Sequence, residues 1–166
     1  ARVVARARSR GLTTVLDTAY DSTGRWFEGV RQSLPHLDYF MPSIGEARPI
    51  TGRDEPYDIA QFLLDQGVGT VVLKMGADGS YIRNAEVEHR IPALRLEVVD
   101  TTGAGDAYVA GFLAARLRGW DLERCGLVGT ATGAAACTAI GTTPGLRDFD
   151  ATIDLWSQYS GQPFPN

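Results

Sequence analysis

Eleven residues constrain this chain more than any others: Val98-Val99-Asp100-Thr101-Thr102-Gly103-Ala104-Gly105-Asp106-Ala107-Tyr108. Two β-branched residues close what reads as a strand. Gly103-Ala104-Gly105 makes a turn, and Asp106 opens an apolar run over 107–117 with helical spacing at Val109, Phe112, Leu113 and Arg116. The stretch is thus predicted to be a strand, a glycine turn and a helix N-terminus. The first N–H groups of a helix have no intrahelical partner, and the helix dipole adds partial positive charge there. Glycines let a ligand approach the backbone, so such an end suits phosphate. A carboxylate beside that anion site repels a resting phosphate, which gives Asp106 two readings. It caps the helix, a common use of Asp, or it takes a proton from a hydroxyl that attacks a phosphoryl group held by the neighbouring amides.

The run from Asp100 to Asp106, followed by Ala-Tyr-Val-Ala-Gly-Phe-Leu, resembles the C-terminal signature of the ribokinase-like (PfkB) carbohydrate kinases. The resemblance implies that Asp106 is the catalytic base and that the amides of Gly103, Ala104 and Gly105 form an anion hole for the transferring phosphoryl group. It also implies that Asp100 and Thr102 help bind a monovalent cation such as K+. From the residues alone, Asp100 serves equally well to cap the turn through its side chain.

A chain of 166 residues is long enough for one domain with a substantial core. A net charge of −4 without a large basic patch argues against a nucleic-acid partner. No apolar run is long enough to span a bilayer. The chain opens on Ala1 with no signal peptide, so further residues are expected upstream in the natural protein. Cys125 and Cys137 lack metal-ligand spacing, and Cys137, among alanines, reads as a small buried hydrophobe. This fits a reducing cytoplasm.

Residues 1–10 carry Arg2, Arg6, Arg8 and Arg10 and read as a helix stopped by Gly11. Residues 12–16 read as a buried strand, 17–24 as a polar loop at its C-terminal end, where ligands sit in open α/β sheets, and 26–34 as a short helix stopped by Pro35. A strand over 38–42 leads to Ser43 and Glu46, spaced as a capping box. The resemblance gives Glu46 a further role in organising Mg2+ and the phosphate water network, although Ser43 stands where that family usually has Asn. Residues 56–66 read as a helix with Ile59, Phe62 and Leu63 facing inward. The apolar run 70–74 suits a central strand covered on both faces. Gly76 and Gly79 then form a turn, which could be a simple tight hairpin. By resemblance the segment lies along the nucleotide phosphates, with Lys74 beside it. Strands over 81–83 and 87–91 follow, and 97–99 leads into the signature. Beyond it, 122–139 is rich in Ala and Gly, which suits tight helix packing. By resemblance Thr132, Ala136 and Gly141 border the adenine. Residues 151–159 form the closing helix.

Strands alternating with helices predict a mostly parallel sheet between helical layers, in agreement with a three-layer α/β/α ribokinase-like fold. The resemblance spans residues 1–166 as the C-terminal, nucleotide-binding and catalytic-base portion of that fold, without its N-terminal strands and β-lid. The expected activity is in-line transfer of the γ-phosphoryl of ATP, with Mg2+, to a hydroxyl of a sugar or related small alcohol. Family dimers meet through the lid, so a homodimer stays open. Three alternatives stand beside this reading: a non-catalytic nucleotide-binding half that needs the missing N-terminal part, a dinucleotide-binding oxidoreductase, and a P-loop enzyme. The oxidoreductase is disfavoured because Gly103-x-Gly105-x-x-Tyr108 lacks the third glycine, and no GxxxxGK[ST] occurs for the P-loop.

Overall fold

The computed structural model describes residues 1–165. The chain divides into two compact units, one of residues 1–75 and 81–89, the other of residues 76–80 and those from 90 onward. A five-stranded sheet runs in the order β1 (Val15–Leu16), β2 (Tyr39–Phe40), β3 (Thr70–Lys74), β4 (Ser80–Arg83), β5 (Glu88–Ile91). Val15 pairs with Tyr39, and Tyr39 with Thr70, both in parallel register.

The first unit carries α1 (Arg2–Arg8), α2 (Trp26–Val30), α3 (Ile44–Thr51) and α4 (Pro56–Asp65). Its core gathers Leu34, Leu37, Phe40, Ile59, Leu63, Val71 and Leu73. Thr70, Val71, Val72 and Leu73 of β3 are all buried, as a strand covered on both faces requires. In α4, Ile59, Ala60 and Leu63 are buried while Phe62 packs at the margin. Gly52, at φ +65°, stops α3 in the left-handed conformation that a side chain would resist. The expected strand over 12–16 shrinks to two residues because the Thr14 amide donates to the Asp38 carboxylate (2.8 Å) instead of to a neighbouring strand. The expected helix over 26–34 ends at Val30. Pro35 does not stop it but sits in the first turn of a separate 3₁₀ turn, Leu34–His36, a position where proline's missing N–H costs nothing.

The second unit is built on α5 (Ala104–Leu117), α6 (Leu122–Ala136) and α7 (Phe149–Ser160). Asp121 and Asp148 cap α6 and α7 by accepting from the amides of Arg124 and Ala151, each at 2.8 Å. The Gly-rich face of α6 serves helix packing. A Cβ on Gly129 would lie 3.0 Å from the Tyr108 ring, and one on Gly133 would lie 3.1 Å from the Ala104 carbonyl. Three expectations are corrected here. Residues 97–99 form no strand: Val98 and Val99 are exposed, and the amides of Val99 and Asp100 donate to the carbonyl of Cys137 just past α6. The buried face of α5 is Ala107, Tyr108, Gly111, Phe112 and Ala115, so its stripe is rotated from the expected one. The helix therefore meets α6 through small residues at which hydrophobic spacing gives no signal. Cys125, not Cys137, is the buried cysteine, and burial pushes its thiol up to about 11.

Candidate active-site residues

In the second unit the signature builds a helix start with open amides. Gly103 is the N-cap of α5 at φ +79°, a conformation suited to glycine. The Thr102 amide donates to Asp100 Oδ1 (3.0 Å), and the Ala104 amide to the Thr101 carbonyl (3.2 Å). The amides of Gly103, Gly105 and Asp106 donate to no described group. Of the three amides expected to face a phosphoryl group, that of Ala104 is turned back into the turn, and the open amides at this helix start are those of Gly103, Gly105 and Asp106. Asp106 is not the N-cap. It is the third residue of α5, exposed, and its carboxylate accepts no hydrogen bond from the described residues.

Both carboxylate oxygens of Asp100 accept from neighbouring groups. Its Oδ1 accepts from the Thr102 amide and from Thr102 Oγ1 (2.7 Å), and its Oδ2 accepts from the Gly141 amide (2.9 Å). These bonds, that from Gly141 first, hold its carboxyl below the usual carboxylate range. Asp100 and Thr102 are thus brought together, and Gly141 is drawn to them from the loop after α6. Gly141 itself takes φ +98°. Thr132 and Ala136 are engaged in helix packing. Thr132 Oγ1 donates to the Val128 carbonyl (2.7 Å) and abuts Gly111, while Ala136 is wholly buried in α6. Gly76 and Gly79 flank the 3₁₀ turn Gly76–Asp78. Gly76 is exposed at φ +59° with open space where a Cβ would stand. Gly79 is buried at φ +85°, and a Cβ there would lie 1.9 Å from the Ile91 carbonyl oxygen. Backbone packing alone therefore requires glycine at Gly79.

In the first unit a second polar cluster gathers at the C-terminal ends of β1 and β3. Lys74 Nζ pairs with Asp17 Oδ2. Lys74 is thus not a solvated strand-end lysine, since its side chain keeps 12% of its exposure. Desolvation raises the Asp17 carboxyl above its ordinary value, with the Lys74 ammonium opposing the shift. Glu46 closes the capping box of α3, its Oε2 accepting from the Ser43 amide (2.9 Å) and from Thr18 Oγ1 (3.0 Å). Glu46 Oε1 is left without a described partner. Among the described residues no three His, Cys, Asp or Glu side chains converge as a metal cage. Magnesium does not need one, because it keeps several waters and takes one or two carboxylates with substrate phosphates. Glu46 fits that pattern.

Sequence reasoning missed Asp17 and Thr18 as members of this cluster. Their signal was an acid directly after a strand, in a loop whose residues could not be matched one by one. It also missed the Asp106 amide, because the helix start was expected at Asp106 rather than two residues earlier.

Comparison with known proteins gives the family of the chain. Residues 1–148 match the family described as pfkB family carbohydrate kinase. The ATP-dependent 6-phosphofructokinase of Thermoanaerobacterium thermosaccharolyticum is 35% identical over 129 residues, which cover 78% of this chain and 40% of that protein. Aminoimidazole riboside kinase from Salmonella enterica, crystallised with aminoimidazole riboside and an ATP analogue, superposes with a TM-score of 0.84 at 32% identity, covering 94% of this chain and 56% of that one. A structure from E. coli described as a ribokinase II in complex with ATP and Mg2+ gives a TM-score of 0.84 at 25% identity, covering 95% of this chain and 52% of that one. The chain thus spans about half the length, or less, of the relatives it matches. No described helix is long and apolar enough to cross a membrane.

Proposed function

The chain belongs to the pfkB family of carbohydrate kinases, and from that premise we propose that it supplies the catalytic base and phosphate-facing backbone for transfer of the γ-phosphoryl group of ATP to a hydroxyl of a sugar or related small alcohol. One observation carries this reading: an exposed, unpartnered carboxylate, Asp106, stands in the first turn of α5 beside amides that have no partner of their own.

In the proposed step the hydroxyl oxygen bonds to the γ-phosphorus as the bond to the bridging oxygen of ADP breaks, and the hydroxyl proton passes to Asp106. The amides of Gly103, Gly105 and Asp106 lie where a helix N-terminus stabilises spreading negative charge. Such transition states are loose, so Asp106 needs position more than basicity. Glu46 would hold Mg2+, directly or through water, and the ion would neutralise phosphate charge. In the same reading the family resemblance assigns Gly76 and Gly141, and separately Lys74, to nucleotide contacts, and a monovalent cation sits beside Asp100 and Thr102, with K+ against Na+ as its comparison in turnover. Ala136 is wholly buried and the Thr132 hydroxyl donates to Val128 O, so this reading assigns neither a nucleotide contact.

The test is ADP release with Mg-ATP against a panel of sugars, ketosugar acids and nucleosides, with Asp106→Asn alongside. The expected result is turnover reduced by about 10²-fold or more in the variant while Mg-ATP affinity is kept. Equal turnover in the two proteins would remove Asp106 from the base role. The share of the relatives that is matched, 40% for the phosphofructokinase, favours a second reading. In it this chain holds the nucleotide machinery and the acceptor-selecting residues lie in the unmatched portion. Mg-ATP binding without turnover on any acceptor would distinguish it.

A further inference from the structure

Between the turn that carries Gly76 and the helix that carries Asp106 there is one buried polar tie. Tyr108 Oη donates to Ser80 Oγ at 2.9 Å. Ser80 is wholly inaccessible and Tyr108 keeps 6% of its exposure. Ser80 is the first residue of β4 and directly follows Gly79. Tyr108 lies two residues beyond Asp106 in α5. The ring has little freedom. It abuts Gly129, where a Cβ would come within 3.0 Å of its Cζ, and it stacks on Phe112 with centroids 6.3 Å apart. A phenylalanine would fill the same space, so packing alone does not call for the hydroxyl. A buried hydroxyl is costly unless it finds a partner, and this one is aimed at the end of the glycine turn.

We infer that Tyr108 and Ser80 are positioning residues: their hydrogen bond fixes the spacing between the 76–79 turn and the first turn of α5, so that two stretches of backbone face the phosphates at a set distance. The inference rests on the phosphotransfer reading above. It touches neither the proton transfer at Asp106 nor the amides themselves. It acts on them through Gly79 on one side and through the first turn of α5 on the other.

The test uses the full chain and four proteins: wild type, Tyr108→Phe, Ser80→Ala and the double variant. Mg-ATP dissociation constants are measured well below the melting temperature, with the folded fraction checked by circular dichroism and melting temperatures recorded separately. A purely structural bond would lower the melting temperatures and leave the affinity of the folded protein unchanged. A positioning bond weakens Mg-ATP binding by about three- to tenfold in either single variant. The double variant is then no weaker than the worse single one, because both remove the same interaction. Single variants that bind as the wild type does, or losses that simply multiply in the double variant, overturn the inference. A wild-type chain that binds no Mg-ATP at all overturns instead the phosphotransfer reading, and the positioning role falls with it.

Discussion

How closely α5 lies on α6 is set in part at Gly111, and Gly111→Ala measures it. In an isolated helix the change would be favourable by about 1 kcal/mol, since alanine is the better helix former. Here the new Cβ would stand 2.1 Å from Thr132 Oγ1, 2.7 Å from Thr132 Cβ and 3.0 Å from the Val128 carbonyl oxygen. Thr132 cannot swing away freely, because its hydroxyl donates to Val128 O at 2.7 Å. Giving up that bond costs about 1 kcal/mol, and forcing the helices apart costs about 1–3 kcal/mol. The propensity gain offsets part of this, leaving a net loss of about 1–3 kcal/mol. For a chain of this size that lowers Tm by about 3–10 °C. Thermal denaturation followed by far-ultraviolet circular dichroism reads it, with Gly29→Ala as control. Gly29 lies in α2 with nothing within 4 Å of where a Cβ would stand, so there the propensity term acts alone and Tm rises. A Gly111→Ala protein that melts at or above the wild-type temperature would refute the close crossing, and with it the account of why small residues line this helix pair.

Gly79→Ala and Gly76→Ala separate two glycines of one turn. Both sit at positive φ, which costs an alanine about 1–2 kcal/mol, but only Gly79 adds the collision with Ile91 O. Urea titration should show the larger loss at Gly79, and equal midpoints would contradict the packing role assigned to it. Asp21 accepts from the Thr23 hydroxyl and the Trp26 amide, which hold its carboxyl at about 2 against an ordinary 3.8. A carboxylate depressed in this way stabilises the fold above its ordinary value, and the contribution is lost as the pH falls toward the folded one. The Tm gap between wild type and Asp21→Asn should therefore be open at pH 6 and narrow on acidification between the two values. A gap that stays constant through that interval would contradict the assignment. Asp106→Glu keeps the first-turn charge and should melt with the wild type, yet the displaced carboxylate should lower turnover by about 10²-fold. Retained turnover would leave Asp106 as no more than a partner of the helix dipole.

Much of the first unit was legible in the sequence because its elements bury apolar side chains at regular spacing. Ile59 and Leu63 in α4 and the run from Thr70 in β3 announce themselves this way. The second unit was harder to read for the opposite reason. Where α5 meets α6 the contact residues are Gly111, Gly129 and Gly133, and hydrophobic periodicity assigns a glycine to no face, so the inward stripe was misplaced. Val98 and Val99 have strand propensity but no neighbouring strand to pair with, and their segment docks on the Cys137 carbonyl instead. The signature pointed to Asp106 and its glycines as candidates. It did not reveal that Ala104 turns its amide back to Thr101, nor that Asp17 holds Lys74, because both depend on where distant or adjacent backbone settles rather than on residue type.

The polar and glycine residues of the signature divide according to whether folding accounts for them. Asp100 and Thr102 satisfy each other and the Gly141 amide. Gly103 supplies the left-handed N-cap, and Gly111 permits the helix crossing. Each would be selected by stability even in a protein with no ligand. Asp106 is different: it is exposed, accepts no hydrogen bond from the described residues, and adds to stability only what any acid in a first turn adds, about 0.3–1 kcal/mol. The unpaired amides of Gly103, Gly105 and Asp106 likewise do nothing for the fold that water could not match. A carboxylate and a set of donors that folding leaves idle, held together at one helix start by residues that folding does employ, form an arrangement that needs little reorganisation when charge develops beside it. In the proposed function the rigidity would come from the employed residues and the chemistry from the idle ones, so a change at Gly111 and a change at Asp106 should affect different measurements.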